Sequence, residues 1–68
     1  MRFGTVVYFS EGRGFGFVRP DGANHDVFVH LSQFPKSEGK LRVGDRLQFE
    51  VGRNEKGPVA LRVSRAAE

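Results

Sequence analysis

The sequence predicts an all-β domain, a small closed barrel of five antiparallel strands, and three observations lead there. No window places apolar residues at helical spacing over three turns. Short alternating runs bounded by Gly, Pro, Asp and Asn recur along all 68 residues. One connection is long while the others are short, and closing such a sheet into a barrel hides the hydrogen-bonding edges that an open sheet would expose. Strands are expected at about 4–10, 15–19, 26–31, 46–51 and 58–64, within roughly two to four residues at each end.

The first strand leads into Ser10-Glu11-Gly12-Arg13-Gly14, a hairpin loop whose glycines tolerate positive φ. Strands 2 and 3 are joined by a link that opens with the turn signal Pro20-Asp21-Gly22. The long connection, Ser32 to Asp45, has room for a helical turn, and Gly52 to Gly57 closes the last hairpin. In strand 4 the alternation puts Leu47, Phe49 and Val51 on one face, and in strand 5 Val59, Leu61 and Val63. Arg46, Gln48, Glu50, Ala60 and Arg62 are then left to solvent. Residues 65–68 read as a frayed tail, and 1–68 as one domain.

With 68 residues the domain buries only about 60% of its unfolded surface, so its apolar residues should be needed inside. Strands 2 and 3 conflict with that economy. Val18, Val27 and Val29 can supply an interior face, yet the other face carries Phe15, Phe17, Phe28 and His30. The reverse orientation, rings inward and valines outward, satisfies the same alternation. Gly14 and Gly16, which weaken a strand and leave the rings thin neighbours, favour the exposed cluster. Val6 and Tyr8 share parity, so an inward Val6 requires a bulge or bend to turn Tyr8 toward the rings, and that bend is the expectation. Phe9 fits either the edge of the cluster or the layer beneath it. Phe3, Phe34 and Phe49 are assigned to packing.

Eleven Lys or Arg against eight Asp or Glu give a net charge of +3, and the pI is near 10.0. Such a balance favours polyanionic partners but also fits a merely soluble surface. Rings on a sheet, with Arg13 and Arg19 beside them, suit unpaired bases, which present flat apolar faces, while the arginines meet phosphate. The absence of cysteine excludes disulfides and thiolate metal sites and makes a reducing cytoplasm the expected setting. No apolar run has the length of a membrane span or the form of a signal peptide. His25 and His30 would need carboxylates such as Asp21 or Asp26 to complete a metal site or an acid–base pair. No convincing constellation surrounds them, so neither metal, cofactor, small-molecule substrate nor catalysis is expected. Gly12-x-Gly14-x-Gly16 lacks the third glycine and the following helix of a dinucleotide loop. Arg42, Arg46, Arg53, Arg62 and Arg65 read as solvated charge.

Arg13-Gly14-Phe15-Gly16-Phe17-Val18 resembles the first ribonucleoprotein motif, and Asp26-Val27-Phe28-Val29-His30 resembles the second in its cold-shock form. Gly4-Thr5-Val6 and Lys56-Gly57-Pro58 also fall where bacterial cold-shock domains have similar residues, so the resemblance covers nearly the whole chain. It implies an oligonucleotide-binding (OB) barrel that holds single-stranded RNA or DNA on the face of strands 1 to 3, with roles such as RNA chaperone; a monomer is the expected state. By position, Tyr8, Phe15, Phe17, Phe28 and His30 would stack on bases, Arg13 and Lys56 would meet phosphates, and Pro58 would lie at the border. Phe9 remains a candidate beside them. Tyr8 stands where tryptophan is usual, Val7 where lysine is frequent and Leu31 where phenylalanine is frequent. The long loop is one residue shorter than usual and has no ring between Lys36 and Lys40. These departures imply weaker binding than in a full-complement member. The alternative that an exposed aromatic patch allows is a protein-interaction barrel.

Overall fold

The computed structural model describes residues 2–35 and 39–66. Five strands, β1 (Arg2–Ser10), β2 (Phe15–Pro20), β3 (Val27–His30), β4 (Arg46–Asn54) and β5 (Gly57–Arg65), form a closed barrel in the order β1-β2-β3-β5-β4. The long connection begins with a 3₁₀ turn, Leu31–Gln33, directly after β3. All pairings are antiparallel except the seam between β3 and β5, which runs parallel through Phe28 opposite Val59.

The interior is built mainly from branched aliphatic side chains packed around one ring, Phe49, because a barrel this narrow has little space for more. Val6, Val18, Val27, Val29, Leu47, Phe49, Ala60 and Val63 are all at most 1% exposed, with Phe34 and Leu41 closing the ends. The valines of β2 and β3 thus face inward, and the rings that alternate with them face out. Leu47 and Phe49 lie in the core as expected, and so does Phe34.

Two bulges correct the alternation. In β1, Val6 pairs with Val18 but Tyr8 with Phe17, two steps against one, so Val7 is the extra residue. The inserted residue reverses the parity beyond it: Val6 points in, Tyr8 points out, and the expected bend is present. In β5, Gln48 pairs with Ser64 but Glu50 with Leu61, which inserts one residue in the β5 strand. Arg62 there has φ 52° and donates its amide to Gln33 Oε1 at 3.2 Å. Ala60 therefore fills the interior instead of solvent, while Leu61 turns out and only Val63 of its predicted face stays buried. Val51, predicted inside with Leu47 and Phe49, is 39% exposed near the open end of the β4–β5 hairpin.

Phe3 is a further correction. It pairs with Gln48 on the outer wall of β1 and β4 and is 44% exposed, so it does not pack in the core. The C-terminal end is also more ordered than a frayed tail. Arg65 closes an ion pair with Asp45 at 2.9 Å and the Ala66 amide donates to the Arg46 carbonyl at 3.0 Å; residues 67–68 lie outside the described residues.

Candidate nucleic-acid interface

The antiparallel register of β2 and β3 sets Phe15 opposite His30 and Phe17 opposite Phe28, and the Val7 bulge brings Tyr8 beside Phe17. Five rings result in one connected layer. Phe15 and Phe28 lie nearly parallel with centroids 5.5 Å apart. Phe17 stands edge-on to Phe28 at 5.9 Å and to Phe15 at 6.4 Å. Tyr8 lies 6.1 Å from Phe17 and 6.5 Å from Phe15, and His30 lies 6.5 Å from Phe28. The rings support one another from the side, which holds them upright while Tyr8 remains 48% exposed.

Gly16 has a different reason from the thin neighbours that its sequence context suggests. A Cβ on Gly16 would overlap the Tyr8 carbonyl oxygen and come within 2.9 Å of the Phe9 ring. Only glycine lets the bulged β1 backbone cross β2 this closely, so Gly16 is what permits Tyr8 to turn outward. Gly14, at φ 74°, makes the turn that starts β2, and its carbonyl accepts from the Leu31 amide at 2.7 Å.

Phe9 is not in the ring layer. It lies opposite Gly16 and packs against the core from the barrel end, and it also lines a groove with Glu11, His30, Leu31, Phe34 and Lys40. A second groove, on the other flank, runs from Phe17 and Phe28 to Asn54, Lys56, Pro58 and Val59 of the β4–β5 hairpin. Lys56 and Pro58 therefore border the platform although they are some thirty residues from it in sequence. The turn that presents them is tied by the Lys56 amide donating to Asn54 Oδ1 at 2.8 Å. Val59 was not anticipated at this border, because its outward orientation follows from the β5 bulge.

The cations divide into two sets. Arg19 sits on the ring face but donates to Asp26 at 2.8 Å, so it is not simply available to phosphate. Arg46 makes a two-pronged pair with Asp21, both bonds 2.7 Å, and reaches Thr5 Oγ1 at 2.9 Å. Arg62 faces Glu50, Arg65 pairs with Asp45, and Lys40 pairs with Glu11 at 2.9 Å across the first groove. Among the described residues, Arg2, Arg13, Arg42, Arg53 and Lys56 make no ion pair. The hydrogen bond from Lys40 holds the Glu11 carboxyl below its ordinary value, and that from Arg46 does the same for Asp21. Among the described residues no group of three or more His, Cys, Asp or Glu is placed to hold a metal ion, and no helix is long and apolar enough to cross a membrane.

The fold and its ring layer define a small OB-type barrel that carries a connected layer of aromatic rings on its outer wall. The family profile of the 'Cold-shock' DNA-binding domain matches residues 2–66. The chain is 45% identical to the cold shock protein of Arthrobacter globiformis over 65 residues, 94% of this chain and 97% of that one. It is 43% identical to the cold shock-like protein CspE of Escherichia coli (strain K12) over 61 residues, 88% of each. The solved structure of Drosophila Unr CSD456 superposes on 97% of this chain with a TM-score of 0.80 and 24% identity, a likeness of fold; the match covers 26% of that larger chain. The chain belongs to the cold-shock domain family, a family of nucleic-acid-binding proteins.

Proposed function

We propose that the chain binds single-stranded RNA or DNA by stacking unpaired bases on Tyr8, Phe15, Phe17, Phe28 and His30. Arg13 and Lys56 meet the phosphates, Pro58 borders the second groove and Phe9 supports the first. The observation that carries this reading is the connected layer of five rings on the outside of a barrel too small to spare apolar surface. Residues 1–68 act as one binding unit, monomeric, in the cytoplasm, with neither catalysis nor a cofactor. Keeping transcripts unpaired, the role of an RNA chaperone, follows from holding bases flat on the protein instead of on each other. Duplexes bind worse because their bases are already stacked and a convex sheet does not reach them.

Stacking contributes about 1–3 kcal/mol per base, so three or four occupied rings support micromolar binding once ordering costs are subtracted. The test is a salt series with a thymidine heptanucleotide and a duplex of the same length. Neutralising about two or three phosphates predicts a slope of log affinity against log salt near −1.4 to −2.1 for the single strand. Equal affinity for the duplex contradicts the stacking reading. A slope near zero points instead to an apolar protein partner for the same rings.

A further inference from the structure

β3 ends at His30 and the 3₁₀ turn begins one residue later, so the first amides of that turn need acceptors from outside it. His30 supplies one. The Ser32 amide donates to His30 Nδ1 at 3.1 Å, and Ser32 Oγ lies 2.9 Å from the same nitrogen. A backbone amide can only donate, so Nδ1 carries a lone pair and the proton of the neutral ring is on Nε2. The side chain is exposed at the end of the ring layer, and among the described residues Nε2 has no partner.

A bound strand that covered this N–H without replacing its water would leave a donor unsatisfied. We infer that His30 is a directed hydrogen-bond donor as well as a stacking surface, its Nε2–H meeting an acceptor oxygen of the bound strand, either a base carbonyl or a phosphate oxygen. The Ser32 amide is the positioning group: it fixes both the tautomer and the rotation of the ring. Phe15, Phe17 and Phe28 have no polar atom, so among the residues facing bases His30 and the Tyr8 hydroxyl are the points at which the layer can select for the edge of a base instead of its face. This inference rests on the single-strand reading above, and the experiment separates the two.

Nitrogen-detected NMR of the free protein at a pH where His30 is neutral should show Nδ1 unprotonated and coupled to the Ser32 amide, with the proton on Nε2. The opposite tautomer overturns the inference whatever the protein binds. A thymidine heptanucleotide is then titrated into wild type, His30→Phe, His30→Gln and His30→Ala. Phenylalanine keeps a ring but has no donor; glutamine has no ring but places an N–H near the Nε2 position. A directed donor predicts that His30→Phe binds about three- to tenfold more weakly than wild type and that His30→Gln binds more tightly than His30→Ala. If stacking is the whole role, His30→Phe binds as well as wild type and His30→Gln falls with His30→Ala, and the inference is wrong. Replacing successive thymines by difluorotoluene, which stacks without accepting, identifies the oxygen. Loss of the His30→Phe defect at one position marks a base carbonyl, and its persistence at every position marks phosphate. Absence of binding by wild type removes the single-strand reading itself, and the inference with it.

Discussion

The two ends of the charge distribution contrast more than the net value suggests. Along β4 and β5, Arg46, Arg62 and Arg65 each face a carboxylate, whereas Arg53 toward the hairpin and Arg2 on β1 do not, among the described residues. Arg13, in the loop between β1 and β2, and Lys56, at the border of the ring layer, likewise face none among the described residues. Both regions are arginine- or lysine-bearing strand ends and loops. What differs is whether an acid already neutralises the cation, and a phosphate backbone reads that difference because a paired cation must leave its acid before it can neutralise a phosphate and displace that phosphate's counterion. The same contrast holds for apolar residues on a single pair of strands, where Val18, Val27 and Val29 are at most 1% exposed while the rings that alternate with them stand outside.

Core and platform are separated most sharply by truncation. Phe49→Ala should lower stability by about 3–5 kcal/mol, enough to unfold a domain this size, as read by thermal or denaturant melts. Gly16→Ala should destabilise comparably, since the added methyl meets the Tyr8 carbonyl and the Phe9 backbone, which cannot move aside without undoing the β1 bulge. Phe15→Ala or Phe28→Ala should weaken oligonucleotide binding by about 1–3 kcal/mol each while the protein stays folded. Unfolding by the platform variants, or normal binding by them, would erase the distinction.

Charge variants sharpen the comparison at a smaller scale. Removing Arg13 or Lys56 should flatten the salt slope by about 0.7 each, whereas Arg62→Gln should leave it unchanged. Asp21→Asn should reduce stability at neutral pH by unpairing Arg46. Because Arg46 lowers the Asp21 pKa in the folded state, the stability it confers is present above the ordinary value of 3.8 and is lost as pH falls through the lower folded value. Wild type and Asp21→Asn melts should therefore converge in acid, below the ordinary carboxylate range. Tyr8→Trp, which enlarges one stacking face, should give the smallest change, a severalfold gain in affinity.

Much of this was legible in alternation, turn residues and the two aromatic motifs. The strands, the inward valines of β2 and β3 and the outward rings follow from period-two patterning read together with the resemblance. Other features are set by closure of the barrel and carry little local signal. The β5 bulge sits at Arg62, not at a glycine, so the alternation of Val59, Leu61 and Val63 reads as regular although it is not. Phe3 looks like core because a domain this small should need every large ring inside, but its register with Gln48 puts it on the outer wall. The pairing of Arg46 with Asp21 spans 25 residues, and that of Arg19 with Asp26 depends on the β2–β3 register; neither appears until the strands are aligned. In the sequence Gly16 stands out for the rings beside it, whereas the fold requires it for the β1 backbone at Tyr8 and Phe9 that lies against it.

The most direct measurement uses Tyr8, the one tyrosine in a chain without tryptophan. Its emission is followed while an unlabelled thymidine heptanucleotide is added, with saturation established independently by competition against a labelled oligonucleotide. Bases lying on the ring layer predict quenching that tracks occupancy and disappears in high salt. Full occupancy with unchanged tyrosine emission would place the nucleic acid elsewhere on the barrel and contradict the account.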